Sequence, residues 1–540
     1  MKPVSTSATI AVDFSRLADH PLSHDRIALF NSGLVTLPTY RRDADYFRRA
    51  HPEHLRIDLG WGAEWMPWTR ELISVDGDVV AYDFVETDAI AEFLDEVGVR
   101  PYWAYSYVPN AARPSGADWR TMDVDDTLWV QLVTEYVRGA AERGVAIGYH
   151  EVYNEPDLRD ERTGEPVFYA GDFDDYLDLY RKTSRAIRAV DPTARVGGPA
   201  LASVAKNAHW LRPFLRAVVE EDLPLDFLSF HHYGTYGIGP ALQTVLDALA
   251  EFPHLAEVEL HLNEYNSFVI DYPRGGLQDS HLLAAAFAAD LDLLLGSPSL
   301  TRVSWAQFLD SGNDNYSGMI DIDGAAKPLY RVYEFYQSMP VDRRAVRVDG
   351  PDGVGAIASA DDRSAAVLVW NRSIVDVDIR IDTGRSDLFV ALLDSTGHDA
   401  RRPLGAEPLR LERGAVALIS TETPDVSTAR RRVSRTRVHI EDRDTRAWSD
   451  VDETTATIRF GTADDANATV KVGLDLAADI AGEFRASVTA DDGTPAAGEI
   501  DIVESVVAGT RTVWATLTGA APHTFGRVDF VAEAAAEDGR

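Results

Sequence analysis

The chain has no cysteine. Disulfides, thiolate nucleophiles and cysteine-based metal sites are therefore excluded. It also lacks any run of about 20 apolar residues, so no membrane span is expected. Residues 1–13 lack the basic start and apolar stretch of a secretory leader, and a cytoplasmic location is expected. Positive charge is scarce: 52 Lys and Arg stand against 87 Asp and Glu, for a net charge of −35. Such a surface repels polyanions, so nucleic acid is not the expected partner. No GxGxxG or GxxxxGK(S/T) stretch offers a phosphate cradle, and no HExxH spacing offers a zinc site. Neither a metal nor a cofactor is expected.

What is present is alternation. At 540 residues, 45% hydrophobic and 26% charged, the chain is long enough for more than one domain with a sizeable core. From 26 to 340, short apolar runs alternate with amphipathic helical stretches. The strand-like runs are 26–30, 55–61, 100–108, 148–153, 194–199, 226–231, 257–263 and 302–308. Helical stretches include 127–143, 173–190, 210–220, 241–252, 282–295 and 329–339. In 173–190 the apolar residues follow a helical stripe, Asp172 stands at the N-cap position, and Asp191-Pro192 closes the helix. Eight strands separated by helix-length segments predict a (β/α)8 barrel. A doubly wound sheet would need a glycine-rich first turn, and Asn31-Ser32-Gly33 is not one.

After Pro340 the helical period fades and short strands separated by Gly, Asp and Asn turns predict a β-sandwich over 341–422. The N-terminal 1–25 is expected to pack with it. A polar stretch, 423–437, carries Arg430, Arg431, Arg432, Arg435 and Arg437 and reads as a linker. Strand-like runs resume over 438–531 as a further all-β domain, and 532–540 reads as a tail.

The chemistry lies at two strand ends. His150-Glu151-Val152-Tyr153-Asn154-Glu155-Pro156 is a short strand ending in Asn-Glu and stopped by proline. The pattern recurs as Val258-Glu259-Leu260-His261-Leu262-Asn263-Glu264-Tyr265-Asn266. Two such carboxylates converge only where their strands run the same way in one sheet. Paired carboxylates are what cleavage of a glycosidic bond requires.

These segments resemble glycoside hydrolase family 39, a clan-A group that includes β-xylosidases and α-L-iduronidases. The first resembles the family's acid/base segment, with Tyr153 where Trp is usual. The second resembles its nucleophile segment, with Asn263 where Thr is usual. Gly98-Val99-Arg100-Pro101-Tyr102, Val196-Gly197-Gly198-Pro199-Ala200 and Asp226-Phe227-Leu228-Ser229-Phe230-His231 are similar to strands three, five and six. Lys327-Pro328 is similar to the approach to the last helix. The resemblance spans about 10–420.

It implies retention of configuration, with Glu155 as acid/base and Glu264 as nucleophile. Asn154 would bind the sugar 2-hydroxyl. His231 would touch sugar or a catalytic carboxylate, unless it is a core histidine. His232 and Tyr233 would add sugar contacts. Tyr265 would orient the nucleophile, and Trp305 would floor the sugar site unless it is a core tryptophan. Arg56 would support the nucleophile or form a structural ion pair. Two departures bear on the substrate. Arg56-Ile57-Asp58 replaces the frequent Arg-x-His, so Asp58 would bind hydroxyls and repel a uronate. Tyr233 stands where the iduronidase branch has lysine. Trp61, Trp65 and Trp68 would line a sugar subsite or anchor a loop.

The reading is a retaining, exo-acting glycosidase on short neutral, pentose-containing oligosaccharides, of β-xylosidase or arabinosidase type. A transglycosidase sharing the covalent intermediate is one alternative. A catalytically inactive carbohydrate-binding protein is another, against which the intact Glu155 and Glu264 count. Homo-oligomer formation stays open.

Overall fold

The computed structural model describes residues 7–33, 35–61, 72–77, 79–160, 162–234, 237–267, 280–310, 318–321, 324–395, 397–398, 402–421, 434–440, 445–451, 455–462, 469–477, 481–490, 494–507, 510–519 and 524–532. Eight parallel strands close into the predicted barrel: Ile27–Asn31, His54–Asp58, Arg100–Tyr105, Tyr149–Val152, Val196–Leu201, Phe227–Tyr233, Glu259–Asn266 and Leu300–Ala306. They are called strands one to eight below. Strands one and two are buried end to end, because helices cover one face and side chains fill the lumen on the other.

The helix Phe173–Val190 shows how local sequence sets the elements. The Asp172 side chain accepts from the backbone N–H of Asp174 and Asp175, and Asp175 returns a bond to the Asp172 N–H. This reciprocal cap satisfies donors that the first helical turn leaves free. Its buried stripe includes Tyr176, Leu179, Tyr180 and Ile187, and the helix ends at Asp191, before Pro192.

By contacts the chain divides into two units, one of 1–270, 281–308 and 331–424, the other of 271–280, 309–330 and 425–540. Besides the barrel, the first contains a ten-stranded sheet system built from Ser7–Leu17 and the strands from Arg343–Asp349 to Val416–Ser420. Ser7–Leu17 pairs antiparallel with Arg343–Asp349 and parallel with Val377–Asp382. Ile10, Val367, Val369, Ile379 and Ile419 meet in its core.

In the second unit, eight strands from Ser434–Ile440 to Thr524–Ala532 form two four-stranded sheets. Ile458, Phe460, Val472, Leu474, Val528 and Phe530 form a core of their own. Ser434–Ile440 begins inside the stretch read as a linker, so Arg435 and Arg437 belong to a strand. Arg430, Arg431 and Arg432, and the tail beyond 532, lie outside the described residues. Among the described residues no helix is long and apolar enough to cross a membrane.

Candidate active site

The two Asn-Glu pairs emerge at the C-terminal ends of strands four and seven, the face on which barrel chemistry is built. Each end departs from regular strand geometry. After strand four, Tyr153 and Glu155 adopt positive φ of 71° and 45°, a region that side chains with a Cβ rarely enter. The Glu155 N–H donates to the Ala200 carbonyl at 3.2 Å, which ties this strained turn to strand five. On strand seven, Leu262 pairs with Phe230 and Glu264 with the next residue, His231, so Asn263 is an extra residue in the register. This bulge breaks the alternation of faces. Asn263 and Glu264, neighbours in sequence, both turn into the lumen.

Arg56 on strand two lies at the centre, fully buried. Its Nη1 donates to Glu264 Oε1 at 2.7 Å, and its Nη2 to Asn154 Oδ1 at 2.9 Å. Its Nε donates to Glu151 Oε2 at 2.7 Å. The Phe30 ring packs against the guanidinium, 4.9 Å from its carbon. The other Glu264 oxygen, Oε2, accepts from Tyr233 Oη at 2.6 Å. His231 Nδ1 lies 2.7 Å from Glu155 Oε1 and 3.5 Å from Glu264 Oε2. One oxygen of Glu155, one of Glu264 and a nitrogen of His231 all lie within 4.8 Å of one another, close enough also to ligate a cation.

The two carboxyls have different surroundings. Burial raises Glu155 to about 8, and the Asp157 charge adds to the rise. Burial also raises Glu264, but His231, Arg56 and the Tyr233 hydroxyl act against it. Glu264 thus carries the direct Arg56 and Tyr233 contacts, while Glu155 is the carboxyl raised to about 8. Burial lowers His231, and the Glu264 charge acts against that fall.

Several expected roles change. Asp58 faces the lumen, but its oxygens are engaged by protein: Tyr107 Oη donates at 2.8 Å, the Gly60 N–H at 3.3 Å, and Ser106 Oγ donates as well. Tyr107 also hydrogen-bonds the Asn154 side chain. Asp58 therefore braces Tyr107 and, through it, Asn154, in place of the expected sugar contact. Trp61 is buried outside the barrel wall, edge-on to Tyr105, Trp129 and Tyr136. Trp65 and Trp68 lie outside the described residues.

Tyr265 points away from Glu264 and donates to Asp290 Oδ2 at 2.5 Å in the helix His281–Leu295. Trp305 packs edge-on against Phe287 of that helix and against Tyr265, so it belongs to the layer between strands and helices and floors no sugar. His232 pairs with Tyr265 in register and shares its outward face. Alternation along a strand explains these corrections: lumen-facing His231, Tyr233 and Glu264 force His232 and Tyr265 outward. Sequence reasoning assigned no role to Glu151, Asn263, Tyr107 or Tyr102. The available signal was the second acid in His150–Pro156 and the Asn before Glu264.

A model of the glycosyl hydrolases family 39 matches residues 49–386. The chain belongs to glycoside hydrolase family 39. A relative named β-xylosidase from Caldicellulosiruptor saccharolyticus is 26% identical over 342 residues, covering 57% of this chain and 68% of the relative. The GH39 enzyme of Xanthomonas axonopodis pv. citri has a similar structure, with a TM-score of 0.63 at 19% identity, over 77% of this chain and 97% of that one. A bacterial orthologue of human α-L-iduronidase matches 97% of both chains, with a TM-score of 0.60 at 14% identity. The fold likeness therefore extends to the C-terminal strands. The protein is a glycosidase, acting on glycoside substrates.

Proposed function

We propose that this glycosidase is a retaining, exo-acting enzyme of β-xylosidase type on short neutral oligosaccharides. The observation that carries the reading is the divided pair. Glu155 and Glu264 bring carboxylate oxygens within 4.8 Å, and Glu155 is pushed up to about 8 while Arg56 and Tyr233 hold charge on Glu264. A separation of about 5 Å suits double displacement, since no room remains for a water between the pair.

In the first step a Glu264 oxygen bonds to the anomeric carbon as the bond to the leaving oxygen breaks. That oxygen takes the Glu155 proton. In the second, water gives a proton to Glu155 and attacks the anomeric carbon, which releases Glu264. Asn154, next to the acid in sequence and held by Arg56, is the group we assign to the 2-hydroxyl.

A neutral glycone follows from the charges. Among the described residues that touch the pair, Arg56 is the permanent cation, and its nitrogens are committed to Glu151, Glu264 and Asn154. None is left for a uronate. The pentose assignment rests on the β-xylosidase relative. The test is a panel of aryl glycosides of xylose, arabinose, galactose, glucose and iduronic acid, with Glu264→Ala alongside and the first anomer followed by proton NMR. Retained configuration from a xyloside, abolished in Glu264→Ala, supports the reading. Inverted product, or full activity in the variant, overturns it.

A further inference from the structure

Beneath the catalytic pair lies a third acid that the double displacement does not use. Glu151 is 0% exposed on strand four and lies below Arg56, out of reach of a sugar above the pair. Its Oε2 lies 2.7 Å from both Nε and Nη2 of Arg56. Its Oε1 accepts from Asn263 Nδ2 at 2.6 Å and from Tyr102 Oη at 3.4 Å. Tyr102 Oη lies 3.2 Å from His261 Nδ1, and His261 Nε2 lies 3.0 Å from Glu259 Oε2. A file of polar side chains thus runs from Glu264 through Arg56, Glu151 and His261 to the far end of strand seven.

We propose that Glu151 is a positioning residue for the nucleophile. Acting through Arg56, it fixes the guanidinium plane and divides its charge, so that Glu264 stays held yet reactive. This rests on Glu264 being the nucleophile.

Burying a carboxylate is costly, and an apolar or amide side chain of similar volume would fill the space with less penalty. A second buried acid on one arginine therefore calls for an electrostatic reason. With Glu264 as its only acid, Arg56 would place its full charge on the Glu264 carboxylate. That would stabilise the ground-state carboxylate and lower its nucleophilicity. Glu151 takes the Nε edge and leaves Glu264 a single Nη1 contact. Asn263 and Tyr102 supply Glu151 Oε1 with hydrogen-bond donors in place of solvent. The groups facing Glu264 are Arg56, His231, Glu155 and Tyr233.

The test uses the full chain and an aryl glycoside that the wild type cleaves. Glu151→Gln should lower kcat about tenfold or more, with KM within about threefold. With one negative charge gone, Arg56 bears more strongly on Glu264, and the acidic limb of kcat/KM should move to lower pH. Tyr102→Phe removes a neutral contact only and should leave that limb in place. If Glu151→Gln does not fold, Glu151→Asp decides. It keeps the charge but withdraws it from Nε, so kcat should fall while the limb and the melting temperature hold. Wild-type kcat in the folded variant overturns the proposal. So does a kcat loss in Glu151→Gln with an unmoved limb, which marks packing alone. Full activity in Glu264→Ala would instead overturn the nucleophile assignment, and this proposal with it.

Discussion

Glu155 holds a proton because its surroundings give a charge nowhere to go. Its pKa is raised from an ordinary value of 4.5 to about 8, chiefly by burial. Between those two values the unfolded chain releases a proton that the folded chain keeps, so stability falls as pH rises through that window. At pH 7 the penalty is up to about 3 kcal/mol. Glu155→Gln should therefore melt higher than wild type at pH 7, with the gain shrinking toward pH 4.5, while hydrolysis of substrates with poor leaving groups is lost. Calorimetry across that range checks the sign; a variant that melts lower at pH 7 would contradict it. Tyr233→Phe removes a charge-assisted bond to Glu264 and should cost about tenfold to hundredfold in kcat. Because the Tyr233 hydroxyl lowers the Glu264 pKa, the acidic limb should move up in this variant. Glu155 and Glu264 were legible in the sequence because each ends a strand in the same Asn-Glu pair. Glu151 was in plain view four residues before Glu155, but nothing in one dimension shows that it shares an arginine with Glu264.

At the scale of elements, the strands and their order could be read from the chain, because each apolar run of strand length is set off by turn residues and an amphipathic helix. What could not be read was which way each strand-end side chain faces. Trp61 and Trp305 were candidates for sugar contact and are wall residues. Trp61→Ala should cost about 3–5 kcal/mol by opening a cavity among Tyr105, Trp129 and Tyr136, and should leave KM for the aryl glycone unchanged in the protein that remains folded. Urea unfolding read with steady-state kinetics separates the two roles. A KM rise without loss of stability would return Trp61 to the substrate site. The capped helix start at Asp172 gives a milder case: Asp172→Ala should cost about 1 kcal/mol and leave catalysis untouched.

At the scale of the molecule, two features set behaviour. The net charge of −35 makes the folded surface repel itself. Raising salt from about 0.02 to 0.5 M should screen that repulsion and raise the melting temperature. A flat or falling response would mean that attractive pairs outweigh it. The second feature is the separate core of the C-terminal strands, built from residues such as Ile458, Phe460, Val472 and Phe530. A fragment spanning 434–532 should unfold cooperatively on its own, as its near-UV circular dichroism would show.

The sequence by itself determined the barrel, the family and the two carboxylates, since strand period, turn residues and a repeated motif are all local properties of the chain. Only the tertiary structure decided what surrounds those carboxylates. The extra residue at Asn263 turns two consecutive side chains inward, and positive φ at Tyr153 and Glu155 re-aims the end of strand four. Strands two, four and seven then deliver Arg56, Glu151 and Glu264 to one buried point, although 95 and 208 residues separate Arg56 from its two acids. Period alone cannot count through a bulge or a strained turn, and a shared charge exists only where the closed barrel brings its owners together.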